Sequence, residues 1–101
     1  GGDMETSLML ALRPGSVRMP QARTFGSTSR DRAQQYPVLG NGRSAKLGWA
    51  MQDYNPEGAA GNAAAATAAR GEAVLRAAGT QLALLLQELS RLPLSTVAGP
   101  R

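Results

Sequence analysis

The stretch "GGDMETSLMLALRP" gathers in one place the side chains best suited to chemistry: the carboxylates Asp3 and Glu5, then the hydroxyls Thr6 and Ser7, directly behind the pair Gly1 and Gly2. A carboxylate here can orient a neighbouring group or accept hydrogen bonds from backbone amides at a helix start. The hydroxyls read as caps and not as nucleophiles, because a serine or threonine attacks only when a base takes its proton, and the chain has no His to do so. The missing His also removes the commonest metal ligand. The absence of Cys excludes disulfides, thiolate nucleophiles and sulfur ligands for zinc. Taken by themselves, the residues show no catalytic centre.

The elements that position this stretch fall into three zones. Met4, Leu8, Ala11 and Leu12 recur at helical spacing, and Pro14 with Gly15 stops the run, so a short helix is predicted over about 3–13. Met9 and Leu10 leave it little polar surface, and burial on several sides is expected. From Gly15 to about Leu47 the chain is rich in Gly, Pro, Ser and Arg without a sustained period, which reads as a long loop. The apolar half of "LGWAMQDYNPEG" predicts a short strand near 48–52, ended by Asn55-Pro56. The third zone is a long amphipathic helix over about 64–91, with Asn62 as its expected N-cap. Val74, Ala78, Leu82, Leu85, Leu89 and Leu92 form its apolar stripe, which reads first as core packing. Gly71 or Gly79 is expected to bend the helix or to mark a close backbone contact.

Composition narrows the function. With 101 residues, 43% hydrophobic but only 4% aromatic, the chain can build at most one small core. The net charge of +4 comes from arginines scattered through the loop, with few aromatics among them to stack bases, so no nucleic-acid partner is expected. The longest apolar run, "LALLL", is far shorter than the ~20 residues of a membrane span, so no membrane partner and a cytoplasmic location are expected.

"GGDMETSLMLALRP" resembles the creatininase (creatinine amidohydrolase) family, in which a Gly-Gly or Ala-Gly step is followed by Glu-Thr-Ser and a hydrophobic helix ending at Pro. Gly1, Gly2, Glu5, Thr6, Ser7, Met9, Leu10, Leu12 and Pro14 fall on that pattern. "GAAGNAAAATAARGEAVL" is similar to a later motif of the same family through Gly61, Asn62, Ala66, Thr67, Ala68, Gly71 and Leu75. The chain departs from that motif at Ala69, where an acidic residue is common, and at Arg70, where Lys is usual.

The resemblance implies an α/β fold, of which residues 1–94 would form the C-terminal portion of a single three-layer domain, with 95–101 as a flexible tail. It implies a metal-dependent amidohydrolase acting on a cyclic or linear amide, creatinine-like or a formamide, and a homo-oligomer when complete. The divalent metals, zinc or manganese, would be held by the missing N-terminal portion, and none by this chain alone. The family's proton-transferring His would stand just before Gly1. The chain would thus carry no catalytic residue and be inactive by itself. Gly1 and Gly2 would supply active-site backbone, Glu5 a supporting carboxylate behind the metal ligands, and Trp49 and Tyr54 a candidate lining for the substrate. The alternative reading is a non-enzymatic helical interaction module built on the Ala/Leu helix.

Overall fold

A computed structural model describes residues 1–97 and 99–100. Helix α1 spans Asp3–Leu12. It stops because Arg13, which precedes Pro14, leaves helical geometry (φ −147°, ψ 74°) while its N–H still bonds Met9 O at 2.8 Å. Strand β1 (Thr24–Phe25), helix α2 (Ser29–Gln35) and helix α3 (Met51–Tyr54) follow. Strand β2 (Gly61–Asn62) returns antiparallel to β1, with Thr24 opposite Asn62 and Phe25 opposite Gly61. Helix α4, Ala68–Arg91, closes the order, and Leu92, held extended before Pro93, ends it.

The α/β expectation thus takes the form of four α-helices and one small two-stranded sheet among the described residues. Three expected elements are corrected. No strand forms near 48–52. Instead Met51–Tyr54 closes one helical turn, because the Asp53 carboxylate accepts the Ala50 N–H at 2.8 Å and fixes a helix start there. The predicted loop contains both β1 and α2, and β2 lies beyond it. The long helix starts at Ala68 and not near 64. Ala63–Ala65 form a 3₁₀ turn, Ala66 is extended, and Thr67 is the N-cap, its Oγ1 accepting the Arg70 N–H at 3.2 Å; Asn62 belongs to β2. The tail expected over 95–101 begins within a 3₁₀ turn, Leu94–Val97, and its residues 98 and 101 lie outside the described residues.

The packing centre is the crossing of α1 with the start of α4. A Cβ added at Gly71 would stand 1.9 Å from the Ser7 carbonyl oxygen and 3.0 Å from Ala11 Cβ, so only glycine allows the two backbones this close. Gly71 therefore marks a close contact. Ser7, Ala63, Ala66 and Gly71 are the buried residues, and all are small.

The large apolar side chains lie outside this centre. Met4 (65% exposed), at the edge of the crossing beside Ala73 and Val74, and Met9 and Leu12 are exposed, so α1 is covered on one side and not on several. The stripe on α4 is open as well: Leu82, Leu85, Leu89 and Leu92 are each more than half exposed, and no described element of this chain covers them. The radius of gyration is 19.5 Å, against roughly 13 Å for a self-contained domain of about 100 residues.

Candidate functional site

The two sequence motifs, about fifty residues apart in the chain, pack directly on one another. Gly61 has a φ of +114°, and a Cβ there would meet Gly2 Cα at 2.6 Å, so the later glycine-rich segment lies against the Gly1–Gly2 backbone. Gly1 in turn has Ala59 behind it, at 2.8 Å from an added Cβ, whereas Gly2 adopts ordinary extended geometry (φ −88°) as the N-cap of α1 and faces open space.

Glu5 sits one turn into α1 with its side chain 78% exposed, and its carboxylate accepts a bond from the Gly1 amino nitrogen at 3.1 Å. Gly1, Glu5, Thr6 and Arg18 are the polar part of an open cleft of about 560 Å³, completed by Met9, Ser16 and Val17. One exposed carboxylate in such a cleft can orient a neighbouring donor. With no base–nucleophile pair beside it, it cannot by itself cut a bond.

Ser7 has a different place from its neighbour Thr6. Its side chain is buried, 1% exposed, and its Oγ donates to Asp3 Oδ1 at 3.2 Å while accepting the Thr67 N–H at 3.0 Å. The other oxygen of Asp3 takes Arg70 Nη1 at 2.6 Å, and the same nitrogen donates to Ala65 O at 3.0 Å. The hydroxyl thus satisfies an amide at the start of α4 and locks α4 onto α1, a structural duty that leaves it no freedom to act as a nucleophile.

Trp49 and Tyr54 form a second group, between α2 and α3. Their ring centroids are 4.3 Å apart at 52°, and the Arg32 guanidinium lies over the Tyr54 ring at 5.3 Å. Three bonds hold α3 against the start of α2: Thr28 N–H to Tyr54 O (3.0 Å), Thr28 Oγ1 to Asp53 O (2.8 Å) and Asn55 Nδ2 to Gly26 O (2.7 Å). Neither aromatic lines the cleft at Gly1 and Glu5. Their own cavity is bounded by other residues, so the structure does not bring the two candidate groups into one pocket.

The metal implied by the family resemblance has no fitting donor set among the described residues. Among the described residues no group of three or more Asp or Glu side chains is placed to hold an ion, and His and Cys do not occur. No described helix is long and apolar enough to cross a membrane.

Sequence reasoning missed the buried role of Ser7 and the contact of Gly61 with Gly2. The first has a weak signal in retrospect: Ser7 lies one turn after Asp3 and three residues before Leu10, on the helix side that meets α4, whereas its neighbour Thr6 does not.

Comparison with known proteins bears on both motifs at once. The family model described as creatininase, creatinine amidohydrolase, matches residues 1–86, which takes in α1, the sheet and most of α4. No curated protein and no solved structure matched the chain.

Proposed function

From the premise that the chain belongs to the creatininase family, we propose that it is the C-terminal portion of a metal-dependent amidohydrolase that hydrolyses a cyclic or linear amide, creatinine-like or a formamide, and that it is inactive alone. The observation that carries this reading is the combination of the family match with open apolar faces on both α1 and α4. The chain has the family's motifs and too little of its own mass to cover them. Met4, Met9 and Leu12 on α1 are the surface to which the N-terminal portion would dock.

In this reading the divalent metals, zinc or manganese, belong to that N-terminal portion, whose ligands this chain does not duplicate. What this chain contributes is the floor of the site. Gly1 and Gly2 lie against Ala59–Gly61, with the exposed Glu5 carboxylate at the edge of the cleft. The three-layer α/β fold and a homo-oligomer are part of the same proposal.

The test is co-expression of the chain with a creatininase-family N-terminal portion carrying the metal ligands, followed by an assay of amide hydrolysis with zinc or manganese present. Hydrolysis by the pair and none by either piece is the expected result. A pair that co-purifies, loads metal and still hydrolyses no amide in a panel of creatinine-like substrates and formamides counts against it.

The open α4 stripe favours a second reading, the non-enzymatic interaction module, because Leu82, Leu85 and Leu89 present a partner-ready face without any enzyme chemistry. Sedimentation separates the two: a defined oligomer with a cooperative melt supports the module, and aggregation relieved by the N-terminal portion supports the enzyme.

A further inference from the structure

The cavity beside Trp49 has a composition that the cleft at Glu5 lacks. It holds about 210 Å³ and is bounded by Ser29 and Arg32 of α2, Lys46 of the following loop, and the Trp49–Tyr54 pair. This is below the ~300–1,000 Å³ of sites for drug-sized ligands, which restricts it to a small molecule. Two cations and no carboxylate line it. Neither cation has an ion-pair partner among the described residues, where the ion pairs are Gly1–Glu5, Arg23–Glu57 and Arg70–Asp3. Arg32 spends one N–H on Thr28 Oγ1 at 3.2 Å, and Lys46 one on Gly42 O at 2.8 Å, so each keeps donors free. The nearest acid on the adjoining element, Asp53, is occupied by the Ala50 N–H.

The walls are also held in place. A Cβ at Gly40 would lie 2.6 Å from Ala33 Cα, so the 3₁₀ turn Leu39–Asn41 sits tightly on α2, and the Gly40 N–H bonds Tyr36 O at 2.7 Å. Asn41 Oδ1 accepts the N–H groups of Arg43 (2.7 Å) and Ser44 (2.9 Å), which turns the loop back toward the cavity that Lys46 and Arg32 both line.

We propose that this cavity binds a small carboxylate with a planar apolar body, the carboxylate between Arg32 and Lys46 and the flat part against the exposed Trp49 ring, which Tyr54 backs. A carboxylate offers two acceptors that suit the planar guanidinium, and a flat body fits the open side of an indole. This rests on no part of the amidohydrolase reading. A failed titration leaves reconstituted hydrolysis untouched, and failed hydrolysis leaves the titration untouched.

Trp49 is the sole tryptophan, so its fluorescence and its indole N–H resonance report on this cavity alone. The purified chain is titrated with benzoate, with benzamide (the same ring without charge) and with acetate (the charge without a ring). Benzoate is expected to saturate with a Kd on the order of a millimolar, a reasonable strength for a fragment of this size. Benzamide and acetate should bind at least about fivefold more weakly. Arg32→Gln and Lys46→Gln should each weaken benzoate about fivefold and leave benzamide unchanged, with far-UV circular dichroism showing the fold intact. Added salt should weaken benzoate alone. Equal binding of benzoate and benzamide, no saturable response, or full benzoate affinity in both variants overturns the proposal.

Discussion

Gly71→Ala sets two physical effects against each other on one residue. Helix propensity favours the change by about 1 kcal/mol, because alanine loses less backbone entropy in a helix interior. Packing opposes it, since the new methyl would stand 1.9 Å from Ser7 O and 2.5 Å from Ser7 C, both backbone atoms that cannot rotate away. The helices must separate by more than 1 Å to relieve a contact that needs at least about 3 Å, and overpacking of this kind costs about 1–3 kcal/mol. Separation also strips the Thr67 N–H of its bond to Ser7 Oγ, a further loss of about 1 kcal/mol or more. The net expectation is a destabilisation of about 1–3 kcal/mol, a fall of roughly 4–20 °C in Tm for a domain of this size. Gly79→Ala on the same helix is the control, because nothing lies within 4 Å of its added Cβ. It should stabilise by about 1 kcal/mol. Thermal melts followed at the helix band of circular dichroism read both signs. A Gly71→Ala chain that melts at or above the parent would refute the close crossing of α1 and α4.

Three further predictions follow from the same geometry. Ser7→Ala should cost about 1–2 kcal/mol by leaving the Thr67 amide unpaired, and hydrogen exchange at Thr67 should accelerate; unchanged protection there would show that the hydroxyl is not its acceptor. Asp3→Asn should cost less than about 1 kcal/mol, and less still at high salt, because Arg70 and Asp3 are 59% and 38% exposed; a larger, salt-independent loss in a denaturant titration would mean the pair is more enclosed than described. Gly40→Ala should push the turn Leu39–Asn41 off α2 and shift Trp49 emission while leaving the melt of α4 nearly unchanged, and an unmoved emission spectrum would contradict the close approach to Ala33.

How much of this was readable beforehand follows the length of each element. α1 and α4 carry runs of good helix formers and apolar spacing over several turns, and their ends at Pro14 and Pro93 are written in the residue type. The start of α4 was misplaced because alanine propensity spoke for 64 onward. The decisive event is tertiary: Ala63 and Ala66 are buried under the α1 crossing, and Thr67 supplies the cap. α2 and α3 have seven and four residues, too few for a helical period to emerge, and α3 is held by the Ala50 N–H bond to the Asp53 carboxylate and by its bonds to Gly26 and Thr28. Strands of two residues likewise have no alternation to detect. Of the site, Gly1, Gly2 and Glu5 were visible through their order in the motif. The contact of Gly61 with Gly2 was not, because a separation of nearly sixty residues leaves no local trace. The exposed stripe on α4 shows the limit of pattern reading: spacing identifies the apolar face and is silent on which chain covers it.

The central claim, that this chain supplies the floor of a metal-dependent site and none of its ligands, is tested most directly by equilibrium dialysis of zinc and manganese. The chain alone is predicted to retain no metal at micromolar concentration, and the complex with the N-terminal portion to retain it stoichiometrically. Stoichiometric binding by the chain alone, or none by the complex, would contradict the account.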